Sequence, residues 1–195
     1  MANRDLEFLF EIASLRNVPR GWRQHLGVDC ASVLEHVVRT AFLALIIARR
    51  EGGADENKVM KMALFHDLPE ARVSDLSYVQ KVYASADEDR ATTDMLAETS
   101  LEDFAALFRE TEAHESIEAK IVKDADNLDL ELEIRELDSL GSPLPKKWEH
   151  IRRAVRDNKL FTESAKQIWD EIQVSDPHSW HLNMNKYLSG KDKII

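Results

Sequence analysis

Apolar residues in this chain recur three and four positions apart in every segment able to contribute to a core, and no segment alternates convincingly with period two. Helices are therefore the main building material, and strands can exist only as short pieces. The scarcity of chain-breaking residues agrees. There are six glycines and five prolines among 195 residues, against roughly 12% in an average protein. That excludes a many-turned β-sandwich or barrel, a collagen and a disordered linker. With no repeat, low-complexity tract or linker in view, the expectation is one all-α helical bundle over residues 1–195.

The periodicity places a first helix from about Asp5 to Leu15, closed by the loop Asn17-Val-Pro-Arg-Gly21. Ser32-x-x-Glu35 reads as a capping box opening a helix to about Arg50. The middle of that helix, AFLALIIA, is apolar all round and predicts a central helix. Asp55 caps a helix through His66-Asp67, which Pro69 closes. Further helices are expected at about Glu88–Glu110, His114–Leu140, Lys147–Asn158 and Thr162–Ile172. The last two would pack onto the body of the bundle.

Charge and cysteine usage limit the partners. The 26 basic and 36 acidic residues give a net charge of −10, a poor match for nucleic acid polymers or anionic membranes. The longest apolar run, Ala41–Ala48, is too short to span a bilayer. The single cysteine, Cys30, allows no internal disulfide. It reads as a small buried hydrophobe. With an N-terminus lacking a signal-peptide core, this points to a cytoplasmic protein.

Chemistry concentrates at a few places. His66-Asp67 ends a helix just before a proline turn, where imidazole nitrogen and carboxylate oxygen can converge on one divalent ion. By itself such a dipeptide reads as an ordinary surface pair. His36 falls in register with Thr40, Leu43 and Ile47 on the buried face of the central helix, so it is either a satisfied core residue or an inward ligand. Carboxylates at Asp124, Asp126 and Asp129 crowd a helix that otherwise has an apolar stripe. Asp126 shares the face of Val122 and Leu130, yet spacing does not choose between Asp126 and Asp124. Glu70 and Asp75 follow His66-Asp67 closely enough to order a water or donate a proton. Elsewhere, His178-x-x-His181 has ligand-like spacing without an acidic or cysteine partner. Trp148, Trp169 and Trp180 read as packing residues, and Lys146, Lys147, Arg152, Arg153 and Arg156 as a solvated helix face.

Together His36, His66-Asp67 and Asp126 resemble the H…HD…D signature of the HD-domain metal-dependent phosphohydrolases. The surroundings Pro19-Arg-Gly-Trp22, Ser32-Val-Leu-Glu-His36, His66-Asp-Leu-Pro-Glu70, Ser74-Asp-Leu76 and Val122-Lys-Asp-Ala-Asp126 resemble their 5′-deoxynucleotidase branch, over roughly residues 4–140. The resemblance implies an HD-domain helical bundle, with motifs within about residues 20–126. His36, His66, Asp67 and Asp126 would hold a divalent ion: cobalt, manganese, magnesium, zinc or nickel. The resemblance itself selects Asp126 as the last ligand. Its implied substrate is a nucleoside 5′-monophosphate, cut to nucleoside and phosphate. Arg20 would grip the phosphate, and Trp22 would pack the sugar and disfavour a 2′-hydroxyl. Glu70 would donate a proton or order water, and Asp75 would position water or the 3′-hydroxyl. Asp67, Asp126, Leu76, Ser77 and Tyr78 would complete the substrate site, and Glu70, Asp75 and the Leu76 carbonyl match a second metal site in some relatives. A homodimer is implied as well. The chain departs from many relatives at Ser74, where glycine is common, and at Val37, where a small polar residue is common. Two other functions share the metal set: hydrolysis of a signalling nucleotide's diester or pyrophosphate bond, and a helical binding module that keeps the ion for structure alone.

Overall fold

A computed structural model describes residues 3–183 and 186–192. In chain order the α-helices are α1 (Arg4–Ala13), α2 (Arg23–Leu26), α3 (Val33–Glu51), α4 (Glu56–Phe65), α5 (Glu70–Val73) and α6 (Glu88–Leu96). They continue with α7 (Phe104–Ala113), α8 (Ile117–Ser139), α9 (Leu144–Asn158), α10 (Glu163–Val174) and α11 (Ser179–Leu182). Among the described residues there is no strand. One isolated bridge, Pro19 with Ser32, ties the loop before α2 to the start of α3.

Helix α3 starts where its capping box requires. The Ser32 hydroxyl accepts from the Glu35 amide, and the Glu35 carboxylate accepts from the Ser32 amide at 2.7 Å. Three faces of α3 are covered by α4, α8 and α10, whose apolar residues share one core with Ala44, Ile47, Met62, Ile121, Leu128 and Trp169. The fourth is open. Val38, Phe42 and Ile46, four apart, are about half exposed or more, so α3 is not wrapped on all sides as its composition suggests. A second cluster around Phe8, Leu15, Val33, Phe65 and Met95 lies under α1 and α6.

The expected helix from Glu88 to Glu110 is two helices. Side chains take over the backbone bonds at the break. Thr99 donates its hydroxyl to the Leu96 carbonyl at 2.7 Å, and Asp5 accepts from both the amide and the hydroxyl of Ser100. Glu98 turns the chain with φ +60°.

The C-terminal helices are fastened by polar contacts that the sequence pattern hides. Asp124, fully buried on α8, accepts from the Phe161 amide and from both the amide and the hydroxyl of Thr162, the N-cap of α10. Arg152 is buried rather than solvated. It donates to Glu131 at 2.6 Å and to the Asn127 carbonyl at 2.9 Å, pinning α9 to α8. Trp169 is core and Trp148 is half-buried, whereas Trp180 is exposed and packs no core. Cys30 is half-buried, and burial pushes its thiol up to about 11, which keeps it a protonated, unreactive side chain.

Candidate metal centre

Three segments meet at one end of the core. His36 projects from the first turns of α3, His66-Asp67 from the C-terminal end of α4, and Asp126 from the middle of α8. One potential ligand atom from each of the four lies within 4.8 Å of the other three. His36 Nε2 is 3.2 Å from Asp67 Oδ2, 3.3 Å from Asp126 Oδ1 and 3.3 Å from His66 Nε2. Such spacings suit neighbouring ligands about 2.1 Å from a shared ion.

The proton positions favour a cation there. His66 Nδ1 lies 2.7 Å from the Ala63 carbonyl, which can only accept, so Nδ1 carries a hydrogen and, in the neutral ring, Nε2 is the nitrogen left for an ion. His36 Nδ1 donates to the Asp129 carboxylate at 2.6 Å, fixing its ring the same way. With both rings neutral, two imidazole lone pairs and two carboxylates would face one small volume; without an ion, a proton on Nε2 can take the cation's place. Two cations brace the acidic ligands. Arg20 reaches Asp67 at 3.1 Å, Asp75 at 3.3 Å and Asp126 at 3.8 Å, while Lys123 donates to Asp126 Oδ2 at 2.8 Å. Burial works against the charges of Asp67 and Asp126. The histidines, and for Asp126 chiefly Lys123, outweigh it and hold both carboxyls below the usual range.

Local sequence explains how Arg20 arrives. The Arg20 amide donates to the Ala31 carbonyl, and the Val33 amide to the Val18 carbonyl, so the loop runs alongside the start of α3. Gly21 then passes against the 74–77 turn. A Cβ there would lie 2.4 Å from the Asp75 carbonyl and 2.7 Å from the Ser77 amide, so only glycine fits. Its amide donates to Asp75 at 3.0 Å. Across this contact Ser74 has φ +64° and ψ +158°, a region that suits glycine.

Glu70 heads α5 and has one buried oxygen with no hydrogen-bond partner. Burial first, then the charges of Asp67 and Asp75, push its carboxyl up to about 10. It stands ready as a proton donor. A cavity of about 120 Å³ joins these groups: Arg20, Glu70 and Asp75 line it with His66, Asp67 and Asp126, and Lys123, Glu112 and His114 extend its wall.

The chain belongs to the HD-domain family. The family's model, described as "HD domain", matches residues 12–169. The chain is 32% identical to the 5′-deoxynucleotidase HDDC2 of Danio rerio over 146 residues, covering 71% of this chain and 72% of that one. It is 30% identical to the 5′-deoxynucleotidase HDDC2 of Homo sapiens over 142 residues, covering 69% of each. A conserved hypothetical protein from Pyrococcus furiosus has the same fold, with TM-score 0.71, 25% identity, and coverage of 86% of this chain and 98% of that one. A protein described as a "Predicted metal-dependent phosphohydrolase" from Magnetospirillum magnetotacticum superposes with TM-score 0.67 at 18% identity, covering 87% and 91%, a likeness of fold alone.

Within this HD domain the remaining expected site residues are scattered. Trp22 is buried, packs edge-on against Trp148 of α9 at 6.5 Å, and is not among the residues lining the cavity. Leu76, Ser77 and Tyr78 are also outside that lining. Ser77 is buried with its amide bonded to Gln80, and exposed Tyr78 packs on His25. Glu70 and Asp75 make no second cluster with a third histidine, cysteine, aspartate or glutamate among the described residues. His178 and His181 do approach to 3.2 Å, again without such a third partner there. Sequence reasoning missed Lys123 and the bracing role of Asp129. Both signals were present: residues 123, 126 and 129 recur every three positions and share one face of α8.

Proposed function

We propose that this chain is a metal-dependent phosphohydrolase that converts nucleoside 5′-monophosphates, preferentially deoxynucleotides, to nucleoside and inorganic phosphate. The observation that carries it is the convergence of a two-histidine, two-aspartate cluster with Arg20 and a Glu70 whose buried oxygen has no partner, beside one cavity. An ion kept for structure alone needs neither of the latter two. Relatives at about 30% identity carry the name 5′-deoxynucleotidase, and the substrate class is taken from them.

His36, His66, Asp67 and Asp126 would hold one divalent ion; Glu70 and Asp75, with the Leu76 carbonyl, match a second site in some relatives, which would need Glu70 ionised and plays no part in the hydrolysis step. A divalent ion there supplies Lewis acidity, lowering the pKa of a bound water and offsetting phosphoryl charge. Two imidazoles among four donors favour cobalt, nickel, zinc or manganese over magnesium. Arg20 orients the phosphate through its fork of donors. In hydrolysis a water oxygen bonds to phosphorus and the bond from phosphorus to the 5′ oxygen breaks. Glu70 gives its proton to that departing oxygen, and Asp75 accepts a hydrogen bond from the water or the 3′-hydroxyl. Trp22, buried against Trp148 and outside the cavity lining, would act on the sugar by fixing the loop that carries Arg20.

The chain acts as one unit, since α10 shares the core of α3, α4 and α8. A homodimer is supported by the open stripe Val38, Phe42 and Ile46 on α3. The lone free cysteine suits the reducing cytoplasm, and no helix among the described residues is long and apolar enough to cross a membrane. The test is phosphate release from ribo- and deoxynucleoside monophosphates under each metal in turn. Hydrolysis of dAMP about tenfold or more faster than AMP is expected, a gap that one polar or packing mismatch produces. Trp22→Ala should narrow it. Equal rates on both sugars would remove the deoxyribose preference, and no release from any monophosphate would refute the reading.

A further inference from the structure

A nucleotide phosphate that enters this cavity meets carboxylates on most sides, so its approach depends on which cations have donors to spare. Arg20 is already spread over Asp67, Asp75 and Asp126. Lys81 also lines the cavity but rises from an exposed turn. Lys123 differs from both. It stands one turn before Asp126 on the rigid α8 helix, and its side chain is 41% exposed where it borders the cavity. One of its three N–H bonds goes to Asp126 Oδ2 at 2.8 Å, which leaves donors for an incoming anion. Arg20 approaches the other oxygen of that carboxylate, Oδ1, at 3.8 Å. The guanidinium and the ammonium therefore flank a single metal-ligand carboxylate from different sides.

We propose that Lys123 is a phosphate-contacting catalytic residue: its Nζ donates to one nonbridging phosphoryl oxygen while Arg20 takes another. This rests on the phosphomonoesterase reading above. Charge in phosphoryl transfer spreads over the three nonbridging oxygens, so a second fixed cation lowers the barrier as well as holding the ground state. The same contact survives in the product complex, because inorganic phosphate keeps those oxygens. Lys123 thus also governs how tightly the product is held.

The experiment compares wild type, Lys123→Met and Lys123→Arg, each saturated with manganese, with manganese content measured on every sample. Binding of inorganic phosphate is followed by calorimetry, and phosphate inhibition and kcat/KM are measured with dAMP. Lys123→Met keeps the stem and removes the charge. It should bind phosphate about tenfold or more weaker at unchanged manganese content, as loss of one charged hydrogen bond implies. Lys123→Arg should recover most of that loss. Should the methionine variant fail to fold, Lys123→Gln takes its place. Phosphate affinity within twofold of wild type in the neutral variant overturns the proposal, as does absence of phosphate binding to the wild type. A fall in manganese content with unchanged phosphate affinity per loaded site overturns it too, because Lys123 would then only orient Asp126. Failure of the parent reading looks different: the wild type would bind phosphate through Lys123 yet release none from any nucleoside monophosphate.

Discussion

Replacing Asp129 tests whether the candidate metal centre depends on its surroundings as well as on its four candidate ligands. Asp129 is 1% exposed and bonds His36 Nδ1 at 2.6 Å through one oxygen and Arg39 Nε through the other. Burial opposes its charge, but the hydrogen bonds from His36 and Arg39 hold its carboxyl below the usual range. Asp129→Ala takes away both. Arg39 is partly exposed and keeps Glu136 at 3.1 Å, so water and that carboxylate absorb much of its loss. His36 has no such relief: it is fully buried, and its other neighbour at Nδ1 is the Thr40 hydroxyl at 3.3 Å. A buried donor left without its acceptor costs about 1–3 kcal/mol, and lost outer partners of metal ligands weaken affinity by about 10–100-fold. Both point to Asp129→Ala binding metal about 30–100-fold more weakly. Asp129→Asn keeps an oxygen able to accept from His36 and should lose about tenfold or less by the same reasoning. Competition with a fluorescent chelator for cobalt or zinc measures this, with circular dichroism confirming the fold. Affinity within twofold of wild type in Asp129→Ala would show that the ring is held by packing alone, and the argument would fail.

Ser74→Gly should stabilise the protein. The Ser74 backbone region costs about 1–3 kcal/mol for a residue with a side chain, and the added chain entropy of glycine offsets about 0.5–1 kcal/mol, so Tm should rise by about 2–4 °C; an unchanged or lower Tm contradicts this. Arg20→Ala should cost about tenfold or more in kcat/KM. Metal affinity should hold or rise, since a cation leaves Asp67 and Asp126, and a parallel loss of bound metal would reassign Arg20 to holding the site together. Metal affinity should climb with pH above the ordinary histidine value of 6.5. Burial opposes charge on His36, but hydrogen bonds with Asp126, Asp129 and Asp67 outweigh it and raise its pKa, so without an ion this pairing stabilises fully below 6.5 and fades as pH passes the raised value. An entering ion must displace that proton. Calorimetry in two buffers of different ionisation heat should detect about one proton released per ion, and none released would rule the coupling out.

The candidate ligand cluster was legible because its signals are local. A histidine on the buried face of an amphipathic helix, and a His-Asp pair at a proline-closed helix end, both follow from short-range periodicity. The helices α3, α4, α8, α9 and α10 emerge for the same reason. What stayed hidden depends on which surfaces meet. The burial of Arg152 requires Glu131 from another helix, and the split after Leu96 requires Asp5 from α1 to hold Ser100. Trp22 against Trp148 joins segments over a hundred residues apart, and neither one's periodicity names the other.

Helix α8 shows why residue type alone could not assign roles. Asp124, Asp126 and Asp129 lie within two turns, yet their surroundings give them different work. Backbone amides at the start of α10 reach Asp124, so its charge is spent fastening two helices. Asp126 faces three groups that can carry positive charge, Arg20, Lys123 and His36, and keeps an oxygen directed at the candidate ligand cluster. Asp129 meets the far nitrogen of His36 and sets which nitrogen points inward. Moving a carboxylate along this helix therefore should not move its function. An Asp126→Ala chain with Asp124 intact should lose the ion, because Asp124 is turned toward α10 and already satisfied by three donors.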